Sequence, residues 1–315
     1  MSLLLAGTRF LLRFTPRSTD SAESLHAAIA KRGEAEAPIP ASVRRRVDVT
    51  ETTVQGRPVV RLTPRGAASG RHLIYLHGGC YTFGILTVHW NLLATLADRS
   101  GVTITVPLYG LAPTYHPAEA YALLDEVYAN VVEAAAGRPV FLGGDSAGGG
   151  LALGQALRLR DGSVVGGAHG TGGGRHSTEI APGDAPAPAG LILLSPWLDV
   201  TLSAPQIADV APLDPMLGRA GLVEAGDLWR GDLDGHDPLV SPLYGDLRGL
   251  PPIFVHQGDR DILLPDAKQL ARTVTRAGGR IELRITKGGF HVFVGAPWTR
   301  EAKRAIRRIV AELRG

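Results

Sequence analysis

The 315-residue sequence has little of what several protein classes depend on. Its one cysteine, Cys80, excludes a disulfide framework and any metal or iron–sulfur site with several cysteine ligands. No apolar run approaches the ~18–20 residues of a membrane-spanning helix. Only four of the 33 basic residues are lysines, and the arginines are scattered, without the basic stripe and interleaved aromatic residues of nucleic-acid-binding proteins. The composition therefore predicts neither an integral membrane span nor a nucleic-acid partner.

What is present is typical of a globular protein. Apolar residues make up 44% of the chain and charged residues 20%, close to the average for globular proteins. The leucine-rich segment Met1–Phe14 is interrupted by Arg9 and Arg13 and lacks a small-residue cleavage site. We therefore expect an amphipathic helix in a cytoplasmic protein. The alternative is a surface anchor that rests on a membrane.

Short apolar runs bounded by turn residues recur along the chain, with helical stretches between most of them, which predicts a mostly parallel sheet of an α/β fold. A helical period of apolar residues begins at Trp298, and another helix begins at Pro265 and ends at Gly278. Residues 161–189 are rich in glycine and predict a mobile surface loop. The eight candidate strands are Arg46–Thr50, Pro58–Leu62, His72–His77, Val102–Leu108, Val140–Gly143, Leu191–Ser195, Ile253–His256 and Ile281–Ile285.

A candidate nucleophile follows the strand Val140–Gly143. The motif Gly144-Asp145-Ser146-Ala147-Gly148 lies between that strand and a predicted helix. A nucleophilic serine needs a tight strand-to-helix turn, and the flanking glycines let neighbouring backbone approach without a clash at Cβ. The bare motif is weakly specific, but its placement between a strand and a helix favours Ser146 as a nucleophile.

A glycine turn, His77-Gly78-Gly79-Cys80, ends the strand His72–His77. In acyl transfer, backbone N–H groups aimed at the tetrahedral oxyanion each contribute on the order of 10²–10³ in rate. We expect Gly78 and Gly79 to supply such donors, together with Ala147, the residue after the nucleophile. The alternative is a plain glycine turn that ends a strand.

A serine nucleophile needs a base and an orienting carboxylate. Asp261 and His291 both follow late candidate strands, at the sheet edge where open α/β sheets place their sites. The order Ser146, Asp261, His291 is that of an α/β-hydrolase sheet. Other candidates are less favoured for the following reasons. Among the carboxylates, Asp259 lies where a strand ends, and Asp266 lies in the first turn of a predicted helix, where acidic residues are common. Among the histidines, His77 belongs to the glycine turn and His256 lies inside a strand, while His116 and His236 lie near no nucleophile.

These motifs together resemble the bacterial hormone-sensitive-lipase-like (family IV) esterases of the α/β-hydrolase superfamily. The resemblance spans about residues 46–313. The matching blocks are His77-Gly78-Gly79 with Tyr81 and Gly84, Tyr109-Gly110-Leu111-Ala112-Pro113, Gly144-Asp145-Ser146-Ala147-Gly148-Gly149, Ser195-Pro196-Trp197-Leu198-Asp199, Ser241-Pro242-Leu243 and Gly289-Phe290-His291-Val292-Phe293.

The resemblance implies an eight-stranded sheet with flanking helices and a helical lid. The lid would comprise residues 1–45 and an insert at about 200–231, within a catalytic domain of residues 46–315. It implies that Ser146, Asp261 and His291 form a triad that hydrolyses short- to medium-chain acyl esters, such as acetyl and butyryl esters, without a cofactor or metal. Cys80, Tyr81 and Trp197 are candidate substrate contacts, and a homodimer is a further expectation.

The chain departs from the family pattern at Cys80, where the family usually has a third glycine. The backbone N–H survives this change, while the side chain could restrict substrates or react with thiol reagents. Gly110 and Thr114 replace an arginine and a glutamate that are usual in the family, and the 161–189 loop is longer than typical. The triad does not separate an esterase from an N- or O-acetyl hydrolase or amidase. A non-catalytic receptor is less favoured because His291 is present, and the absence of a G-x-G-x-x-G pattern excludes a nucleotide-binding enzyme.

Overall fold

The computed structural model describes residues 1–33, 36–162 and 186–315. Most of the glycine-rich segment expected to form a surface loop lies outside the described residues. The sheet has eight strands in the order β1-β2-β4-β3-β5-β6-β7-β8, and β1 and β2 pair antiparallel, as do β2 and β4. All other neighbours are parallel. The strands are β1 Val47–Val54, β2 Arg57–Pro64, β3 His72–Leu76, β4 Thr103–Pro107, β5 Val140–Asp145, β6 Leu191–Leu194, β7 Ile253–Gly258 and β8 Ile281–Thr286.

The expected eight-stranded, mostly parallel sheet is confirmed. Helices flank it, and short helices and 3-10 turns connect the rest. Trp298 corrects one sequence expectation, because it precedes the last helix rather than beginning it, and Thr299 caps that helix by accepting from the Ala302 N–H. The helices are α1 Leu3–Leu12, α2 Ala22–Lys31, α3 Ala41–Arg44, α4 Thr87–Ser100, α5 Pro117–Ala135, α6 Ala147–Arg160, α7 Ile207–Val210, α8 Arg219–Arg230, α9 Leu264–Arg276 and α10 Arg300–Arg314.

The central strands are buried on both faces, which explains why they read as continuous apolar runs rather than alternating ones. In β3, Leu73 and Tyr75 join one hydrophobic core, while Ile74 and Leu76 join the core on the other side of the sheet. Successive side chains of a strand point to opposite faces. The sheet therefore separates two cores and brings the carboxyl ends of β3, β5, β7 and β8 to one edge.

Two segments distant in sequence pack together above that edge. Helix α2 packs against α8, and the connection before α2 is held by Thr19. The Thr19 hydroxyl accepts from the Gly218 N–H at 2.9 Å, and the Thr19 carbonyl accepts from the Gly221 N–H at 3.0 Å. The N-terminal segment and the 200–231 insert thus form one layer. In the described part of the chain, no helix is both long and apolar enough to cross a bilayer.

Candidate active site

Ser146 occupies a strained turn between β5 and α6. Its backbone has φ 51° and ψ −122°, a region that residues with a side chain rarely adopt. The turn is held by its own hydrogen bonds, since the Ser146 N–H donates to the Leu194 carbonyl at 2.9 Å and the Ser146 carbonyl accepts from the Trp197 N–H at 2.8 Å. A Cβ at Gly148 would collide with the carbonyl of Leu76. Glycine is therefore required where α6 passes β3.

His291 and Asp261 meet in the loops that follow β8 and β7. The His291 Nδ1–H donates to Asp261 Oδ2 at 3.1 Å, and Asp261 Oδ1 accepts from the Leu263 N–H at 3.0 Å. Asp261 is fully buried and His291 nearly so. The loop after His291 is held by the Ser195 hydroxyl, which accepts from the Val292 N–H at 3.0 Å. The imidazole therefore has a fixed tautomer, with Nε2 left available as a base.

The electrostatic surroundings favour the protonated form of His291. Burial by itself lowers the pKa of an imidazole, but here the Asp261 carboxylate outweighs it through charge and hydrogen bonding, and Asp214 and Asp145 add to its effect. The net result is a His291 pKa above the ordinary value of 6.5. This is the direction expected for a base that must hold a proton during acyl transfer.

Asp145, directly before Ser146, collects hydrogen bonds from three parts of the chain. Its Oδ1 accepts from the Tyr75 hydroxyl at 2.8 Å and from the Gly78 N–H at 3.0 Å, and its Oδ2 accepts from His89 Nε2 at 3.1 Å. His89 Nδ1 in turn accepts from the Leu86 N–H. Burial opposes ionisation of Asp145, yet His89 and the other donors lower its pKa below the ordinary value. The carboxylate therefore joins β3, the glycine turn and α4 to the nucleophile.

This network corrects one expectation about the oxyanion donors. The Gly78 N–H is already donated to Asp145, so it is not free to bind an oxyanion. Gly79 and Cys80, in contrast, have φ angles of 131° and 55° and line the cavity beside Ser146. Within the described ranges, the N–H groups of Gly79, Cys80 and Ala147 donate no hydrogen bond. The three free donors are thus those of Gly79, Cys80 and Ala147.

Ser146 and His291 line one cavity of about 290 Å³. Its walls are mostly apolar and come from the glycine turn, α1, α4, the 200–231 insert and the loops around His291. The lining residues are Thr8, Leu12, Gly79, Cys80, Leu86, Val88, His89, Leu92, Asp145, Ser146, Met216, Leu217, Phe290, His291, Val292, Gly295, Ala296 and Trp298.

Two expected substrate contacts lie elsewhere. Tyr81 stacks on Trp229 with ring centroids 4.4 Å apart and contacts Trp197 at 5.4 Å. All three rings are fully buried in the core, and neither Tyr81 nor Trp197 lines the cavity. Of the three expected contacts, only Cys80 lines the cavity. The rings of Tyr81 and Trp197 are buried in the core, where they support the glycine turn instead of contacting a substrate.

Asp214 is a site residue that the sequence reasoning missed. Its Oδ1 accepts from the N–H groups of Met216 and Leu217, both cavity residues, at 2.8 and 2.9 Å, and its Oδ2 accepts from the Ile262 N–H at 2.8 Å. Burial and the neighbouring Asp261 raise the pKa of Asp214 to about 6. Asp214 therefore ties the 200–231 insert to the loop that carries Asp261. It lies in a connecting segment and belongs to no motif, so the sequence alone did not mark it.

The competing histidines have structural partners. His77 stacks on Tyr109 with centroids 4.5 Å apart and donates through Nδ1 to the Gly78 carbonyl. His256 lies in β7 with its Nε2 3.2 Å from Glu312 Oε2. Burial lowers the pKa of His77 to about 4, so it stays neutral. Over the described residues, no group of three or more His, Cys, Asp or Glu side chains could hold a metal ion.

Comparison with known proteins agrees with this geometry. A family model described as alpha/beta hydrolase fold matches residues 73–295. An esterase of Acinetobacter venetianus is 33% identical, over 82% of this chain and 81% of its own length. An acetyl-hydrolase of Streptomyces hygroscopicus is 32% identical over 78% and 76% of the two chains. The crystal structure of an esterase from the bacterial hormone-sensitive lipase family superposes with a TM-score of 0.78, at 28% identity, over 100% of this chain and 98% of that one.

The chain belongs to the hormone-sensitive-lipase-like esterases of the α/β-hydrolase fold. It is a carboxylic ester hydrolase.

The esterase also contains a buried carboxyl group without a hydrogen-bond partner. Asp266 lies in the first turn of α9 and is fully buried, and neither carboxyl oxygen has a partner in the described structure. It therefore does not cap the helix, which is the role its position suggested. Burial, with the nearby Asp199 and Asp261, raises the pKa of Asp266 to about 8, so the group is mostly protonated at neutral pH.

Asp266 makes the stability of the esterase depend on pH. Because the folded-state pKa lies above the unfolded one, of about 3.9, the folded state loses stability as pH rises from about 4 through about 8. We expect Asp266→Asn to raise the free energy of unfolding relative to wild type more at pH 8.5 than at pH 5.5, measured by urea titration. Asp209→Asn, at an exposed position of α7, serves as the control. An equal difference at both pH values would contradict the assignment.

Cys80 should be unreactive in the folded esterase. Its side chain is buried, and burial raises the pKa of the thiol to about 12, so the nucleophilic thiolate is scarce at pH 8. We expect a colorimetric disulfide reagent to label the native protein at least about 100-fold more slowly than the chain unfolded in guanidinium, which should release one equivalent. Rapid labelling of the native protein would show that the cavity exposes the thiolate.

Proposed function

We propose that this esterase hydrolyses short- to medium-chain acyl esters through a Ser146–His291–Asp261 triad and an acyl-enzyme. The observation that carries the proposal is the single cavity that both Ser146 and His291 line, together with the 3.1 Å hydrogen bond from His291 to Asp261. The strained backbone of Ser146 supports its role as nucleophile, since such turns present the hydroxyl at the edge of the sheet.

In the first step, His291 Nε2 takes the Ser146 proton as the hydroxyl oxygen attacks the ester carbonyl. The protonated His291 then gives that proton to the leaving alcohol, and the acyl-enzyme remains. In the second step, His291 removes a proton from water, whose oxygen attacks the acyl carbonyl. His291 then returns that proton to the Ser146 oxygen as the bond to the acyl group breaks and the acid is released. Asp261 stabilises the imidazolium in both steps and is not itself protonated.

The oxyanion of each tetrahedral intermediate would be bound by the N–H groups of Gly79, Cys80 and Ala147. The donors are preorganised, because Asp145 holds the preceding residue, Gly78, and the helix α6 begins at Ala147. The first N–H groups of a helix have no intrahelical acceptor, and the helix dipole favours negative charge there. Cys80 thus contributes through its backbone, in place of the glycine usual in the family.

The cavity supports a small acyl group. Its volume of about 290 Å³ lies at the lower end of the ~300–1,000 Å³ range of ligand pockets. An acetyl or butyryl group fits such a space beside Ser146, and the apolar walls favour an alkyl chain over a charged group. Acetyl transfer to water is also the activity for which the Streptomyces hygroscopicus relative is named. Removal of an N- or O-linked acetyl group is therefore the second candidate. The cytoplasmic location and the homodimer stay predictions.

The triad is tested by Ser146→Ala, with p-nitrophenyl acetate, butyrate and decanoate as substrates. We expect wild type to prefer acetate or butyrate, and the variant to lose on the order of 10⁶ in turnover, because removing a triad nucleophile abolishes covalent catalysis. Ser203→Ala, on the 200–231 insert outside the cavity, is the matched control and should keep its activity.

Each result of this assay decides between candidates. Activity retained by Ser146→Ala would remove that residue from the mechanism. Inactivity of folded wild type would favour the receptor alternative. Faster turnover of an acetanilide than of the matched acetate would favour the amidase alternative over the esterase, and decanoate as the best substrate would contradict the small acyl site.

The pH dependence tests His291 as the base. His291 must be neutral to accept the serine proton, so we expect kcat/KM to rise with pH, with a midpoint above 6.5 because the pKa of His291 is raised. Asp261→Asn removes the largest charge that raises it, so the midpoint should move to lower pH and kcat should fall by about 10⁴-fold. A flat wild-type profile between about pH 6 and 8 would exclude His291 as the base.

A further inference from the structure

Helix α1 exposes an apolar face to solvent. Leu3, Leu4, Phe10, Leu11 and Phe14 are between 57% and 92% exposed. At 100° per residue, Leu3, Gly7, Phe10, Leu11 and Phe14 fall on one side of the helix, while Leu5 and Leu12 fall on the other. Only the second side packs onto the protein, with Leu5 fully buried. The amphipathic helix expected from the sequence is thus present, but a wide apolar arc faces outward.

This face continues to the rim of the active-site cavity. Thr8 and Leu12 of α1 line the cavity, and Thr8 accepts a hydrogen bond from the Trp298 indole N–H at 2.9 Å. Trp298, Leu86 and Val88, which line the cavity as well, are 53%, 54% and 39% exposed. An apolar surface therefore runs from the outer side of α1 to the space beside Ser146.

Cations flank the apolar face and acids are scarce beside it. Residues 1–20 contain Arg9, Arg13 and Arg17 and a single acid, Asp20, which forms an ion pair with Arg17. Near the start of α1, a groove lined by Met1 and Ser2 also contains Lys287, Arg300 and Arg304. Those three and Arg13 have no ion-pair partner among the described residues. The groove also contains two acids, and both have partners: Glu301 accepts from the Ser2 N–H and hydroxyl at 2.6 and 2.7 Å, and Glu282 forms an ion pair with Arg284.

We propose that the outward face of α1 docks on an anionic lipid surface and holds the mouth of the active-site cavity against it. In this orientation Leu3, Phe10 and Phe14 enter the acyl layer while the flanking cations contact lipid headgroups, the arrangement of an interfacial amphipathic helix. Esters dissolved in the lipid would reach Ser146 along the apolar rim without crossing water.

Charge decides between a lipid surface and a second copy of the chain. Two copies pairing through this face about a two-fold axis would bring their own Arg9 and Arg13 flanks together, and like charges at an interface cost binding free energy. A surface with anionic headgroups complements the same flanks. Docking does not depend on the acyl specificity proposed above, so its failure leaves the triad proposal intact.

The test is co-sedimentation with vesicles, using the full chain with Ser146→Ala so that no lipid is hydrolysed. We expect binding to phosphatidylcholine vesicles containing phosphatidylglycerol, with weaker binding to pure phosphatidylcholine and release at high salt. In the same background, Phe10→Ser with Phe14→Ser should weaken binding at least about tenfold, because these rings supply the inserted apolar area. Arg300→Glu with Arg304→Glu should weaken binding to the anionic vesicles by about fivefold or more for each cation.

Tyr244→Ser is the matched control, because it removes an exposed aromatic side chain from a 3-10 turn that lines neither the cavity nor the groove near the start of α1. It should bind vesicles as the parent does, and circular dichroism melting should show that every variant is folded. The proposal is overturned if the parent does not sediment with anionic vesicles, or if the double phenylalanine variant binds as well as the parent. It is also overturned if light scattering shows a dimer that the phenylalanine substitutions dissociate, since a second copy would then cover the face.

Discussion

The catalytic edge of this esterase depends on the buried carboxylate of Asp145. This group accepts hydrogen bonds from Tyr75 on β3, Gly78 in the glycine turn and His89 on α4, and it precedes Ser146 in the chain. A buried charge is costly unless its hydrogen bonds are satisfied, and here three donors meet it. The position of the glycine turn relative to the nucleophile is therefore set by one ionised group, and the free N–H groups of Gly79 and Cys80 follow from it.

A second set of contacts joins the 200–231 insert to the loop that follows β7. Asp214 holds the N–H groups of Met216 and Leu217 on one side and that of Ile262 on the other. Two residues that line the cavity are consequently tied, through one carboxyl group, to the loop that carries Asp261. Asp214, Asp261 and Asp266 are buried in one region. Their burial beside other carboxyl groups raises the pKa of Asp214 and the pKa of Asp266. The Asp261 and Asp214 carboxyl groups also favour the protonated form of His291, so acids that are costly to bury would support the imidazolium of the proposed mechanism.

Much of the fold, and the placement of Ser146, Asp261 and His291 at one edge of the sheet, could be predicted from local sequence patterns. Strands of a parallel sheet appear as apolar runs, and their carboxyl ends must share an edge, so Ser146, Asp261 and His291 could be placed near one another. The use of the Gly78 N–H could not be predicted, since its acceptor is chosen by the packing of β3 against β5. For the same reason Tyr81 and Trp197 were expected at the substrate but lie in the core against Trp229.

The sequence also does not determine which face of helix α1 packs against the protein. Its period in the sequence distinguishes two faces, both rich in leucine, but does not say which one meets the protein. In the structure Leu5 and Leu12 face inward, and Thr8 between them accepts from Trp298, which fixes the rotation of the helix. The aromatic pair Phe10 and Phe14, whose ring centroids are 5.1 Å apart, is then directed to solvent. An arc of exposed rings beside a catalytic cavity costs solubility, and contact with an apolar phase that carries the substrate would offset that cost.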